Sequence, residues 1–505
     1  MFAASMLWMV STLAGQPAAA TDQTWPKEWP PLPDFKTTVD YVTWWEDYLN
    51  QGATDDAWPL WAKIVDADDD PDPVRQTKAR LWGEENGLLP GLLTGEDDPP
   101  ARYAWIPEDH PKWEAGYQSR KAGALHEKLA EIAKYKHVRY RPVLDDYFAR
   151  ELESGLRLTD QDRLLLAYSF PIPHLVMYRQ AVKALLQDGW RAPGGRIDPD
   201  TMLQAIEVSF RISRQAAYHN RFALGHLVNI AGKQLVYLSI IRALNERVFD
   251  KAYLLQLQRL LARHDREPIE WRGTEAGEIA HQLDMLQFPY LPPDGKWSNP
   301  PKLNEENYKK LAGLLKPIFT SAGSLPDAPD PAQLGDPVSG VAKYRDLQLE
   351  LRQAGRRGRP QEIIARFERL SGGFLDDPET HAIFKATGDV SSAHLVMLST
   401  RMSAERRAVR VLIGLHRYRD QHGKWPASLT AIRGWVSARV RTDPFSGKPF
   451  VCRVENGRPT LYSVGYNGKD DGGKHDPQWG RHLEDDEWIV KPTDYVFWPV
   501  PRRKP

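Results

Sequence analysis

The strongest pattern along this chain is apolar residues recurring every three or four positions, the spacing of one face of an amphipathic helix. Leu203, Ile206, Phe210, Ser213 and Ala217 mark one such face. Leu224, Val228, Ala231, Leu235, Leu238 and Ile241 mark a second, and Leu254, Leu257 and Leu261 a third. Asp198-Pro199-Asp200-Thr201 supplies a start signal for the first of these helices. Helical spacing also covers 37–49, 57–65, 159–167, 305–319, 341–370 and 426–432. The longest predicted helix runs from Ser391 to His422 and ends at Gly423. Its stripe is Leu398, Met402, Val409, Leu412 and Leu415, with Arg406, Arg407, Arg410 and Arg417 mostly off it.

Near the C-terminus the period shortens. Phe450–Val454 and Pro459–Val464 read as strands, joined by a hairpin turn in which Asn456-Gly457 supplies the positive φ angles. Glu487–Val490 and Tyr495–Trp498 are further strand candidates. The expected fold class is therefore mainly α, a bundle or stack of antiparallel helices, with a small α+β unit at the C-terminal end.

Composition places the boundaries. Segments 289–304 and 324–340 are dense in Pro, Asp and Gly and read as linkers. The expected division is a signal peptide at 1–20 and a Pro/Trp-rich region with a helix pair at 21–114. A helical domain at 115–323, the linker at 324–340 and a final unit at 341–505 follow. That final unit is expected to fold on its own. Met1 to Ala20 carry no charge, centre on the apolar run Met6–Leu13, and end in Ala18-Ala19-Ala20, the pattern of a cleaved export signal. No later membrane span is expected, since the best stretch, Leu224–Leu244, contains His226, Asn229, Lys233, Gln234 and Arg242.

Charge narrows the partners. Lys plus Arg and Asp plus Glu each number 67 among 505 residues, which argues against a general nucleic-acid binder. The single cysteine, Cys452, allows no intramolecular disulfide and no multi-cysteine metal site, and its place in a predicted strand makes it a packed residue rather than a nucleophile. The chain has no Gly-x-Ser-x-Gly elbow, no His-Glu-x-x-His and no phosphate loop. Glu278-x-x-His281 is half of a di-iron carboxylate motif without a second half, and reads as surface residues on a helix. His219 and His226 fall seven apart on a possible continuous helix and read as packing or surface residues. Asp66–Asp72 reads as a solvated acidic linker, because it lacks the Gly and distal Glu of a calcium-binding loop. Trp44, Trp45, Trp58 and Trp61 have helix-like spacing and read as core, although Trp is also frequent at binding surfaces.

One segment resists a packing explanation. Asp443-Pro444-Phe445-Ser446-Gly447-Lys448-Pro449 precedes the first strand, and Leu461-Tyr462-Ser463-Val464-Gly465 ends the second. A loop of Asn467, Gly468, Asp470, Asp471, Gly472 and Gly473 follows, and then a second acidic cluster at Asp485 and Asp486. A hard cation takes about six to eight oxygens. Asn467, Asp470, Asp471, Asp485, Asp486 and the carbonyl of Val464 are the candidate ligands. On residue chemistry alone, a flexible acidic loop without an ion is the preferred reading of the segment.

The order of these motifs after a long helix resembles the C-terminal domain of the major pseudopilin, protein G, of type II secretion systems. The matching residues are Asp443, Pro444, Gly447, Pro449, Leu461, Tyr462, Ser463, Gly465, Gly468, Gly472, Gly473 and Asp485/Asp486, within roughly 404–490. The resemblance implies a helix packed on a small antiparallel sheet, with calcium fixing the acidic loop. Here the helix is internal and charged throughout and follows no prepilin-peptidase site, so assembly through a membrane-embedded helix is not implied. The expectation is a non-enzymatic exported protein, periplasmic or in the cell envelope, that is structural or binds a protein partner. The alternative is an envelope hydrolase or metalloenzyme with its site in the helical block.

Overall fold

A computed structural model describes residues 29–50, 55–65, 104–138, 173–219, 223–264, 271–312, 334–354, 359–377, 380–382, 392–475 and 494–499. The chain is mostly helical, with one small three-stranded antiparallel sheet near the C-terminus. In chain order the main helices are α1 (Tyr41–Asn50), α2 (Trp58–Val65), α3 (Pro111–Ala122), α4 (Leu125–Ile132), α5 (Pro173–Gly189) and α6 (Pro199–His219). They continue with α7 (Ala223–Asn245), α8 (Lys251–His264), α9 (Trp271–Gln287), α10 (Pro337–Ala354), α11 (Pro360–Asp376), α12 (Ser392–His422) and the short α13 (Ala438–Arg441). The strands are β1 (Val451–Glu455), β2 (Arg458–Ser463) and β3 (Tyr495–Trp498).

Helix α7 organises the main core. It packs against α5, α6, α9, α12 and β3. Its buried apolar residues are Ile230, Val236, Tyr237, Ile240, Ile241, Ala243 and Leu244; of the expected stripe Ile241 is buried, while Val228 and Leu235 are only partly covered. Length and composition would let Gly225–Asn245 cross a membrane, but here it is clad in other helices. Close approach to α6 is possible because Gly232 has no side chain. A Cβ there would lie 2.3 Å from Ser213 Oγ and 2.9 Å from its Cβ.

Helix α12 has two buried sets. Met402, Val409, Leu412 and Leu415 form the expected stripe, and Ala404, Ala408, Val411 and Ile413 add a second. The helix therefore serves two neighbourhoods at once, with α7, α8 and α11 on one hand and β2 and α13 on the other. One continuous core consequently runs from Trp61 on α2 through Leu186, Phe210 and Ile240 to Leu412, Leu461 and Phe497. A second core joins Phe35, Tyr41 and Trp45 to Leu283, Tyr290, Tyr344, Ile363 and Phe367. Neither core divides where the linker composition of 324–340 places a boundary.

The sheet is β1-β2-β3, with β2 central. Glu455 pairs with Arg458 across a two-residue turn. Asn456 and Gly457 there have φ of 51° and 71°, the left-handed values that a type I′ hairpin demands. A bulge between Leu461 and Tyr462 interrupts the pairing with β3. Phe450, Phe497 and Tyr495 stack edge-on beneath the sheet. His416 of α12 meets Trp425 and Trp498 edge-on, at 5.2 Å and 5.1 Å.

Several expectations change. The helical stretch 341–370 is made of two helices, α10 and α11. Of 426–432, only a single 3-10 turn at Leu429–Ile432 is helical. The four tryptophans keep their expected place in the cores, Trp45 and Trp61 buried and Trp44 and Trp58 partly so. The signal-peptide stretch 1–20, the acidic run 66–72, the predicted helix 159–167 and the predicted strand 487–490 lie outside the described residues.

Candidate functional site

Asp443 explains why the two halves of the C-terminal motif occur together. Its side chain is buried at the start of the Asp-Pro turn. Phe445 N–H donates to its Oδ1 at 3.0 Å, closing the turn on itself. Ser463 Oγ donates to Oδ1 at 2.9 Å and Val464 N–H to Oδ2 at 3.1 Å, both from the end of β2. Ser463 Oγ in turn accepts from Gly465 N–H at 3.1 Å. One carboxylate thus fastens the turn before β1 to the exit of β2, twenty residues later in the chain. Burial raises the pKa of Asp443 against these donors, which work to lower it.

The acidic loop follows directly. Asp470 accepts from the Tyr462 hydroxyl at 2.8 Å, from Arg453 Nη2 at 2.7 Å and from Gly472 N–H at 2.9 Å. Burial pushes its pKa up, but these partners together hold it below the ordinary value. Asn467 Nδ2 donates to Asp471 at 2.9 Å, while Asn467 Oδ1 accepts from Lys469 N–H at 2.9 Å. Gly473, with φ of 80°, lies 3.6 Å from the Tyr462 ring by its Cβ direction, so a side chain would be strained there.

A third carboxylate closes the loop, one that the sequence reading missed. Asp494, just before β3, is fully buried. Its Oδ2 accepts from Gly473 N–H at 2.7 Å, and the Asp471 amide also donates to it. Its Oδ1 is buried and has no hydrogen-bond partner. Burial raises its pKa, and the negative charges of Asp471 and Asp470 raise it further, against the two amides. Twenty residues separate Asp494 from the loop, so spacing carries no signal of their meeting. The only local hint is an acid at the polar threshold of an aromatic strand.

Of the predicted ligands, Asn467, Asp470 and Asp471 come together in one loop, with the backbone of Val464 pinned to Asp443 at its entrance. Asp485 and Asp486 lie outside the described residues. Among the described residues no group of three or more His, Cys, Asp or Glu side chains forms a metal-binding array. Calcium also draws on amide and carbonyl oxygens, and the buried, unpartnered Oδ1 of Asp494 is the kind of atom a cation would satisfy.

Elsewhere the structure corrects the reading. Glu278 and His281 are buried on α9, with Gln282 and Asp284, and are not surface residues. His219 ends α6 and His226 lies in α7, so they do not share one helix; His226 is buried, and burial holds its pKa down at about 3. The Cys452 thiol is pushed up to about 11 by burial, which keeps it protonated and unreactive at neutral pH. Asp188, Arg120 and His126 form a buried ion cluster joining α3, α4 and α5. Burial of Asp188 works to raise its pKa, and the hydrogen bonds from Arg120 and His126 reverse this.

No family model matches the chain, and neither a curated protein nor a solved structure is similar to it.

Proposed function

We propose that this chain is a non-enzymatic structural or protein-interaction protein of an exported compartment, whose pseudopilin-like C-terminal end is clamped by calcium. The observation that carries the reading is Asp494. Its buried Oδ1 stands without a hydrogen-bond partner beside the Asn467–Gly473 loop, which already presents Asp470 and Asp471. A divalent cation there would neutralise Asp470 and Asp471, whose charges help to raise the pKa of Asp494, and so tie the loop to the threshold of β3. The Asp443 staple supports the family reading, since it gives the Asp-Pro-x-x-Gly and Tyr-Ser-x-Gly motifs a common physical purpose.

Calorimetric titration of the full chain tests this. One calcium site is expected, with a dissociation constant of roughly 0.1–1 mM as in extracellular modules, and no response to magnesium. At about 1 mM calcium, the tight end of that range stabilises by about 1.4 kcal/mol. Asp494→Asn should abolish the titration. An unchanged titration in that variant, or none in the wild type, removes calcium from the reading. Stoichiometric iron or zinc in the purified protein would move the function to the helical block around Glu278 and His281.

A further inference from the structure

Where α8 and α12 face the segment 429–441, they leave a cleft of about 220 Å³. We propose that this cleft binds a small organic carboxylate with a flat apolar body, about the size of benzoate. It lies apart from the acidic loop, and the inference does not rest on calcium.

The lining is chemically divided. Ile413, Val436 and Trp435 supply an apolar wall. Arg417 on α12 supplies the charge; Arg410, one heptad earlier, also lines the cleft and donates to the Leu261 carbonyl at 3.5 Å, and no Asp or Glu lines the cleft among the described residues. Arg417 is held in place by neutral groups. Its Nη1 donates to Gln258 Oε1 at 2.6 Å, and its guanidinium lies 5.3 Å from the Trp435 ring centroid. A guanidinium braced by an amide and an indole is aimed without being neutralised, which suits planar, two-point recognition of a carboxylate.

Size selects the ligand class. The volume is below the roughly 300–1,000 Å³ of drug-sized sites. It holds a single ring with a carboxylate, with the ring against Trp435 and Val436 and the charge toward Arg417.

The test uses the full chain and titrates benzoate by saturation-transfer NMR and calorimetry, with benzyl alcohol and inorganic phosphate as probes lacking the charge and the ring respectively. Benzoate should saturate in the millimolar range or below, and the other two should bind at least about tenfold more weakly. Arg417→Gln should weaken benzoate by about tenfold or more, while Arg433→Gln, exposed and outside the lining, should leave it unchanged. If Arg417→Gln fails to fold, Trp435→Leu takes its place, with the same loss expected. The proposal is overturned if benzoate does not saturate, if benzyl alcohol binds equally well, or if the Arg417 or Trp435 variant binds like the wild type.

Discussion

Removing the Asp443 carboxylate should unfasten the C-terminal sheet from its entry turn. In Asp443→Ala, two buried backbone amides, of Phe445 and Val464, lose their acceptor, and the Ser463 hydroxyl loses its own. A buried donor left without a partner costs about 1–3 kcal/mol. Against that, the variant no longer carries a buried carboxylate, whose raised pKa shows that the charge is held at some expense. The net expectation is a loss of about 2–4 kcal/mol. Asp443→Asn keeps the shape and one acceptor oxygen, yet turns an NH₂ toward an amide that also donates, so its cost should be about half. Urea unfolding of the full chain measures both values, and hydrogen exchange at the Val464 and Phe445 amides localises them. Protection should fall at these two amides first, before the core of α7 responds. An alanine variant within about 0.5 kcal/mol of wild type would refute the staple, as would equal costs for Ala and Asn.

Gly232→Ala should destabilise by about 1–3 kcal/mol through overpacking, because the new Cβ meets Ser213; the double variant with Ser213→Gly should recover most of that loss in the same unfolding assay. His416 supplies a pH dependence. Burial first, and then Arg419 and Arg247, lower its pKa from 6.5 to about 3. The unfolded chain therefore takes up a proton that the folded one refuses, so this stability is complete above pH 6.5 and is lost as pH falls toward 3. Between pH 7 and 5 the loss from this one residue is about 2 kcal/mol, and His416→Phe should flatten the urea midpoint over that interval by a corresponding amount. A fragment beginning at Val341 should expose the α7-facing side of α12 and melt without a sharp transition; a cooperative melt would show that the C-terminal unit stands alone.

Local patterns were legible in the chain. The bounds of α12 and β3, the Asn456-Gly457 hairpin and three of the four buried leucines of α8 follow from period, cap and turn chemistry, each decided within a few residues. What depends on distant neighbours was not. The expected stripe on α7 is only partly buried, because the residues that its partner helices cover are mostly others, a fact of packing and not of its own sequence. Glu278 and His281 look like surface residues until α1, α7 and α10 close around α9. At the candidate site, Asn467, Asp470 and Asp471 share one short loop in the sequence itself, whereas Asp494 reaches that loop only through the pairing of β3 with β2.

The double duty of α12 also has a consequence in time. During synthesis, α7 leaves the ribosome roughly 150 residues before α12, and at about 5–20 residues per second that is a wait of roughly 7–30 s. Throughout it, the growing helical block presents an apolar face whose cover has not yet been made. Helix formation takes about a microsecond, so the block has ample time to assemble and then to meet the wrong partner. A chain built this way places its heaviest demand on chaperones midway through translation, and a premature stop before residue 392 would leave that face open permanently.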